Sequence, residues 1–139
     1  MRDIVDRIHV VSAVDAMPAK KLTFTGATID RMSNDGGYES LALYLLAGTW
    51  TDGTFAFAIN DSPDAAVWTL VTAVNEVPQP NTGFANISSV ATAVPQKVGY
   101  IGGQRYVQVV CTVTGAPATG CQLDIVAILG DARVNPTTA

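Results

Sequence analysis

Charge is scarce in this chain: only 14% of its 139 residues are Asp, Glu, Lys or Arg, against about 25% in ordinary soluble domains. A free surface is normally coated with charge, and large exposed apolar patches are rare on monomers, so the shortage points to outer faces covered by other chains. Eight basic residues against twelve acidic ones leave a net charge of −4. The basic residues are scattered, which argues against binding along a nucleic-acid backbone, because displacing counterions needs clustered Lys and Arg. No apolar run approaches the ~18 residues that cross a bilayer, so no membrane partner is expected. The opening MRDIVDRIHVV carries acidic residues where a signal peptide needs an unbroken apolar segment. The expectation is a soluble chain synthesised in the cytoplasm.

Reactive side chains are scarce too. The single histidine, His9, has no cysteine or carboxylate at ligand spacing, so the sequence offers neither a zinc site nor a Ser-His-Asp relay. Asp61 and Asp64 lie in a turn without the further oxygen ligands and glycine of a calcium loop. The stretch GYIGG, 99–103, echoes a phosphate-binding loop, but it lacks the Lys-Ser or Lys-Thr that must follow and sits between strands. Asn86-Ile87-Ser88 matches a glycosylation acceptor, which has no meaning without secretion. No catalytic residue, metal or cofactor is expected, and an enzyme is not expected. Cys111 and Cys121 fall on what read as two strands of one hairpin. A disulfide is geometrically conceivable there, while a reducing compartment favours two buried free thiols.

What the sequence does carry is alternation. From Arg105, the residues Val107, Val109, Cys111 and Val113 fall on one face and Tyr106, Gln108, Val110, Thr112 and Thr114 on the other, the period-two pattern of a half-buried strand. Glycines at 99, 102, 103 and 115 bracket it with turns. In CQLDIVAILG, 121–130, Leu123, Ile125, Ala127 and Leu129 alternate with Gln122, Asp124, Val126 and Ile128, and the two runs are expected to form a hairpin. Phe55, Phe57 and Ile59 alternate after Asp52-Gly53, a hairpin-turn signal. In ESLALYLLA, 39–47, Leu41, Leu43 and Leu45 oppose Ala42, Tyr44 and Leu46. A sandwich buries only one face of such a strand, so the other needs a further cover, either the N-terminal segment or another protein. Leu22, Phe24 and Ala27 are expected to mark a first strand, and Trp68 and Leu70 a later one.

These elements predict an all-β, antiparallel β-sandwich, jelly-roll-like, over 22–130. An extended N-terminal arm over 1–21 precedes it and a C-terminal tail over 131–139 follows. The expected core is Phe55, Phe57, Ile59, Trp68, Val107, Val109, Leu123 and Ile125. Asn75 to Val94, with prolines at 78 and 80, is the longest irregular region and reads as a contact loop, with a short strand at Phe84 to Val90.

WTDGTFAFAINDSPDAAVW, 50–68, and KVGYIGGQRYVQVVCTVTGA, 97–116, with the closing ILGDAR at 128–133, together resemble a family of small proteins encoded in the head-gene region of tailed bacteriophages. The resemblance covers most of the domain and departs from the family before Leu22 and in the Asn75 to Val94 loop. It implies a capsid decoration, or cement, protein: a jelly roll bound to the outer surface of the major capsid protein lattice, on the exterior of the virion. Apart from the resemblance, open sandwich edges with little charge to guard them predict self-association, expected as a homodimer. The aliphatic arm, the outer face of 39–47 and the Asn75 to Val94 loop supply the interface candidates Ile4, Val5, Ile8, Val10, Val11, Tyr44, Leu46 and Phe84. A virion-exterior carbohydrate-binding sandwich, with Trp50, Trp68 and Tyr44 as a stacking platform, and a tail or neck component are the alternatives.

Overall fold

The computed structural model describes residues 4, 7–15, 18–33, 37–72 and 83–133. Among these residues nine strands follow in chain order: β1 (His9–Val14), β2 (Phe24–Thr25), β3 (Ile29–Asp30), β4 (Tyr38–Trp50), β5 (Thr54–Ser62), β6 (Thr69–Leu70), β7 (Gln96–Tyr100), β8 (Tyr106–Thr114) and β9 (Cys121–Ala132). They form two antiparallel sheets packed face to face. Sheet A has the order β1-β9-β4-β7, and sheet B the order β2-β8-β5-β6, with β3 also on β8.

That order has a simple origin. The chain pairs with itself from its ends inward: β1 with β9, β2 and β3 with β8, β4 with β7, β5 with β6. This long antiparallel ribbon then wraps, so that β9 meets β4 and β8 meets β5. The result is jelly-roll connectivity. The inward residues of both sheets, among them Leu41, Leu43, Leu45, Phe55, Val107, Val109, Leu123, Ile125 and Leu129, make one buried core.

Two expected hairpins are corrected by this wrapping. The strands at 105–114 and 121–129 lie in opposite sheets, and so do β4 and β5 on either side of Asp52-Gly53. Positive φ, which the sequence places rightly at Gly53 (+87°) and Gly115 (+85°), serves here to turn the chain across the ~10 Å between sheets rather than back along a neighbour. The two corners touch. A Cβ on Gly53 would press on the ring of Pro117, and the Asp52 carboxylate accepts the backbone N–H groups of Ala118, Thr119 and Gly120. These bonds, that of Gly120 first, hold the Asp52 carboxyl below the ordinary carboxylate range.

Other departures follow from parity. Leu70 pairs with Asn60 on the outer face of β5 and is exposed, so Val71 rather than Leu70 turns inward. Trp68, expected in the core, is only half-buried in the loop before β6. Phe57 faces the core as expected but is half-buried, edge-on to Phe84. At the first strand, the four steps from Thr25 to Ile29 span the three from Val110 to Val107. That extra residue reverses the facing between β2 and β3, so Phe24 and Ile29 both point inward; Ala27, within the irregular stretch, and Leu22, ahead of β2, are exposed. Of the expected strand at 84–90 only a bridge remains, Ile87 to Phe55. The arm is not free of the sandwich either: His9–Val14 is the edge strand of sheet A, and β9 runs on to Ala132, into the expected tail. The arm docks on its own chain because Val11, Ala13 and Val14 need burial and β9 offers an unpaired edge.

Cys111 and Cys121 are both buried and free. Burial, with the neighbouring Cys121 second, pushes the Cys111 thiol up to about 12, so it stays protonated and unreactive.

Phe55→Ala, at a fully buried site, should cost about 3–5 kcal/mol by chemical denaturation, and Phe57→Ala measurably less; equal losses would contradict the burial difference. Asp52→Asn leaves one acceptor for three N–H groups and sets its own NH2 against one of them, so the melting temperature should fall at pH 7. The stabilisation from a depressed carboxyl is complete above the unfolded value of about 4 and is lost as pH falls through the lower folded value. The variant should therefore lose less stability than wild type on acidification below pH 4.

Candidate interaction surface

The outward residues of sheet A come into register across all four strands. Val10, Ile128, Ala42 and Gly99 form one row, and Ser12, Val126, Tyr44 and Lys97 the next. Leu46, opposite Asp124, extends the apolar area along β4. Val10 is 55% exposed, Tyr44 38% and Leu46 47%, while Ala42, Val126 and Ile128 are half-buried between them. Cross-strand neighbours stand about 5 Å apart, so these side chains form one continuous patch rather than scattered singles. Lys97 and Asp124 are the only charges in those rows.

The expected interface residues divide on this geometry. Val10, Tyr44 and Leu46 lie together on the outer face of sheet A. Ile4 is exposed ahead of β1 and Ile8 is half-buried beside it; Val5 lies outside the described residues. Val11 and Phe84 turn the other way. Val11 pairs with Ala127 and packs half-buried against the core, and Phe84 is 6% exposed against Phe57, so both are turned toward the core rather than the outer face. Val126 and Ile128 were missed as surface residues. Their signal was present in the sequence: β9 is apolar on both faces.

A second feature lies where β3, β4 and the β7–β8 connection meet. Arg31 donates from Nη1 to the carbonyls of Gly102 (2.7 Å) and Gln104 (2.8 Å) and from Nη2 to that of Glu39 (2.6 Å). Its guanidinium sits 5.2 Å from the centre of the Tyr100 ring, and the buried Tyr100 hydroxyl donates to Asp61 at 2.7 Å. Desolvation, with the Asp61 bond second, raises the Tyr100 pKa, and desolvation lowers that of Arg31. A Cβ on Gly102 would collide with the Tyr100 hydroxyl. Gly102 of GYIGG thus makes room for a tyrosine side chain, while a Cβ on Gly103 would meet open space. Beside them Arg105 grips Asp30 through Nε (2.9 Å) and Nη2 (2.8 Å), and holds the Asp30 carboxyl below its usual range.

Asp61 is taken up by Tyr100, and Asp64 accepts the N–H groups of Ala66 and Val67 within its own turn. Among the described residues no group of three or more His, Cys, Asp or Glu side chains converges as metal ligands. No family model, curated protein or solved structure matches this chain.

The double variant Tyr44→Ser, Leu46→Ser removes apolar surface from the patch without touching the core. Its unfolding free energy, read by chemical denaturation, should stay within about 0.5 kcal/mol of wild type. A large loss of stability would mean that these side chains are covered within the chain.

Proposed function

We propose that this chain is a structural virion protein that decorates and stabilises a tailed-phage capsid, binding the outer surface of the major capsid protein lattice. The observation that carries the reading is the apolar, nearly charge-free outer face of sheet A in a chain already poor in charge. A cement protein that binds only the assembled lattice adds its binding free energy to the assembled state, and for that it needs adhesive surface and no active site. The resemblance of segments 50–68 and 97–116 to head-region phage proteins supports the same reading. In the fold these segments are the β4–β5 corner with β5, and β7 with β8. Self-association as a homodimer follows from the same economy of charge: the open edges of β7 and β6 present unpaired backbone groups, and closed two-fold pairing is the commonest symmetric arrangement.

A carbohydrate-binding sandwich requires an exposed aromatic row. Tyr44 stands on the outer face of sheet A, Trp68 lies beside sheet B, and Trp50 is half-buried with its indole N–H on the Gly53 carbonyl at 3.0 Å. The three share no face, which favours the capsid reading.

Co-sedimentation with undecorated shells is the test. Because His9–Val14 is an integral strand, point variants are cleaner than removal of residues 1–21. Intact protein should pellet with shells, and Val10→Asp with Leu46→Asp should abolish this without unfolding the sandwich. Binding that survives the double variant would remove sheet A from the interface, and failure of intact protein to bind any shell would overturn the reading.

A further inference from the structure

The end of the sandwich that carries Arg31 has a hollow of about 260 Å³, lined by Arg31, Arg105 and Arg133 together with Glu39. Three of the chain's eight basic residues thus converge on one concavity of a protein whose net charge is −4. Their donors are incompletely used. Arg31 is 7% exposed, spends three of its five N–H groups on carbonyls, and its buried Nε has no partner among the described residues. Among the described residues it makes no ion pair. Arg105 is matched by Asp30, but Arg133 reaches Glu39 only at 3.6 Å, with both side chains more than half exposed. That separation is beyond hydrogen-bonding distance. With Asp30 and Glu39 counted against the three arginines, and with Asp131 of the adjoining hollow offset by Arg7 beside it, the region keeps one uncompensated positive charge.

We propose that this hollow receives one carboxylate side chain from a segment of a partner protein. Guanidinium forks match a carboxylate in bidentate geometry, and the volume suits a single side chain rather than a larger ligand. Asp30, Glu39 and the neighbouring Asp131, which lines an adjoining hollow with Glu39 and Arg133, repel a second negative charge. A polyanion is therefore disfavoured, and one carboxylate in a segment of low charge fits. Glu39 is the internal competitor, held loosely enough to be displaced. The site lies apart from the outer face of sheet A and stands whether or not that face meets a capsid.

The test is a titration of the ¹⁵N-labelled full chain in low-chloride buffer, following the arginine Nε–H signals by NMR. The probes are acetyl-Gly-Glu-Gly-amide, its Gln counterpart and inorganic phosphate. The Glu peptide should shift the Arg133 and Arg105 signals saturably, with the Gln peptide at least about tenfold weaker, the equivalent of one charge-assisted hydrogen bond. Arg133→Gln, at an exposed position that leaves the fold intact, should weaken binding about tenfold, whereas Glu39→Gln should tighten it about threefold by removing the competitor. Lys20→Gln, on the far side of the molecule, should change nothing. Equal shifts from the Glu and Gln peptides, saturable binding of phosphate but not of the Glu peptide, indifference to Arg133→Gln, or an equal loss in Lys20→Gln would each overturn the proposal.

Discussion

The pairing of β4 with β9 holds the fold together. It runs from Tyr38 opposite Ala132 to Trp50 opposite Cys121, joining residues far apart in the chain, and every other strand of sheet A is attached to one of these two. The pair is stable because both strands alternate with a fully apolar inner face: Leu41, Leu43 and Leu45 beside Leu123, Ile125, Ala127 and Leu129, all within 2% of complete burial. Burying a leucine or isoleucine side chain contributes about 1.5–3 kcal/mol. The entropy of closing so long a loop grows only slowly with its length, and the continuous apolar face more than offsets it. β1 and β7 flank the pair on its outer edges, and the opposite sheet covers the leucine layer.

The two ends of the sandwich are secured by polar groups. At one end Asp52 ties the β4–β5 corner to the β8–β9 corner through three backbone N–H groups that would otherwise lack a partner in the chain. At the other, Arg31 gathers carbonyls from the β7–β8 connection and from β4 while stacking over Tyr100, whose hydroxyl is spent on Asp61. Both devices join a segment of one sheet's boundary to one from the other. They fix how the sheets sit over each other, which non-directional apolar packing does not.

The scarcity of charge acquires a location in this structure. Sheet A carries apolar residues outward as well as inward on its two central strands, so its outer face is poorly suited to water. The arginines, by contrast, gather at one end of the sandwich, in a concavity that three of them line. A charge-poor face that adheres by area and a charged hollow that selects by geometry are complementary means of recognising a partner.

Sequence determined that this chain is an all-β sandwich: the inner faces of β5, β8 and β9 repeat with a period of two that no helix accommodates, and β4, apolar on both faces and so undecided by periodicity, reads as a strand from its shortness and the glycine-rich turns around it. It also identified Val10, Tyr44 and Leu46 as residues in need of a cover, since both faces of β4 are apolar. Which strands pair was decided by tertiary structure. Asp52-Gly53 specifies a reversal but not whether the chain returns beside its neighbour or crosses to the other sheet, and the β4–β9 pairing imposes the crossing. The single extra residue between Thr25 and Ile29 likewise reversed a facing that local periodicity cannot register. The convergence of Arg31, Arg105 and Arg133 was not legible at all. These residues lie on segments about 30 to 100 positions apart in the chain, and only the wrapping of the ribbon on itself brings them to one end of the sandwich.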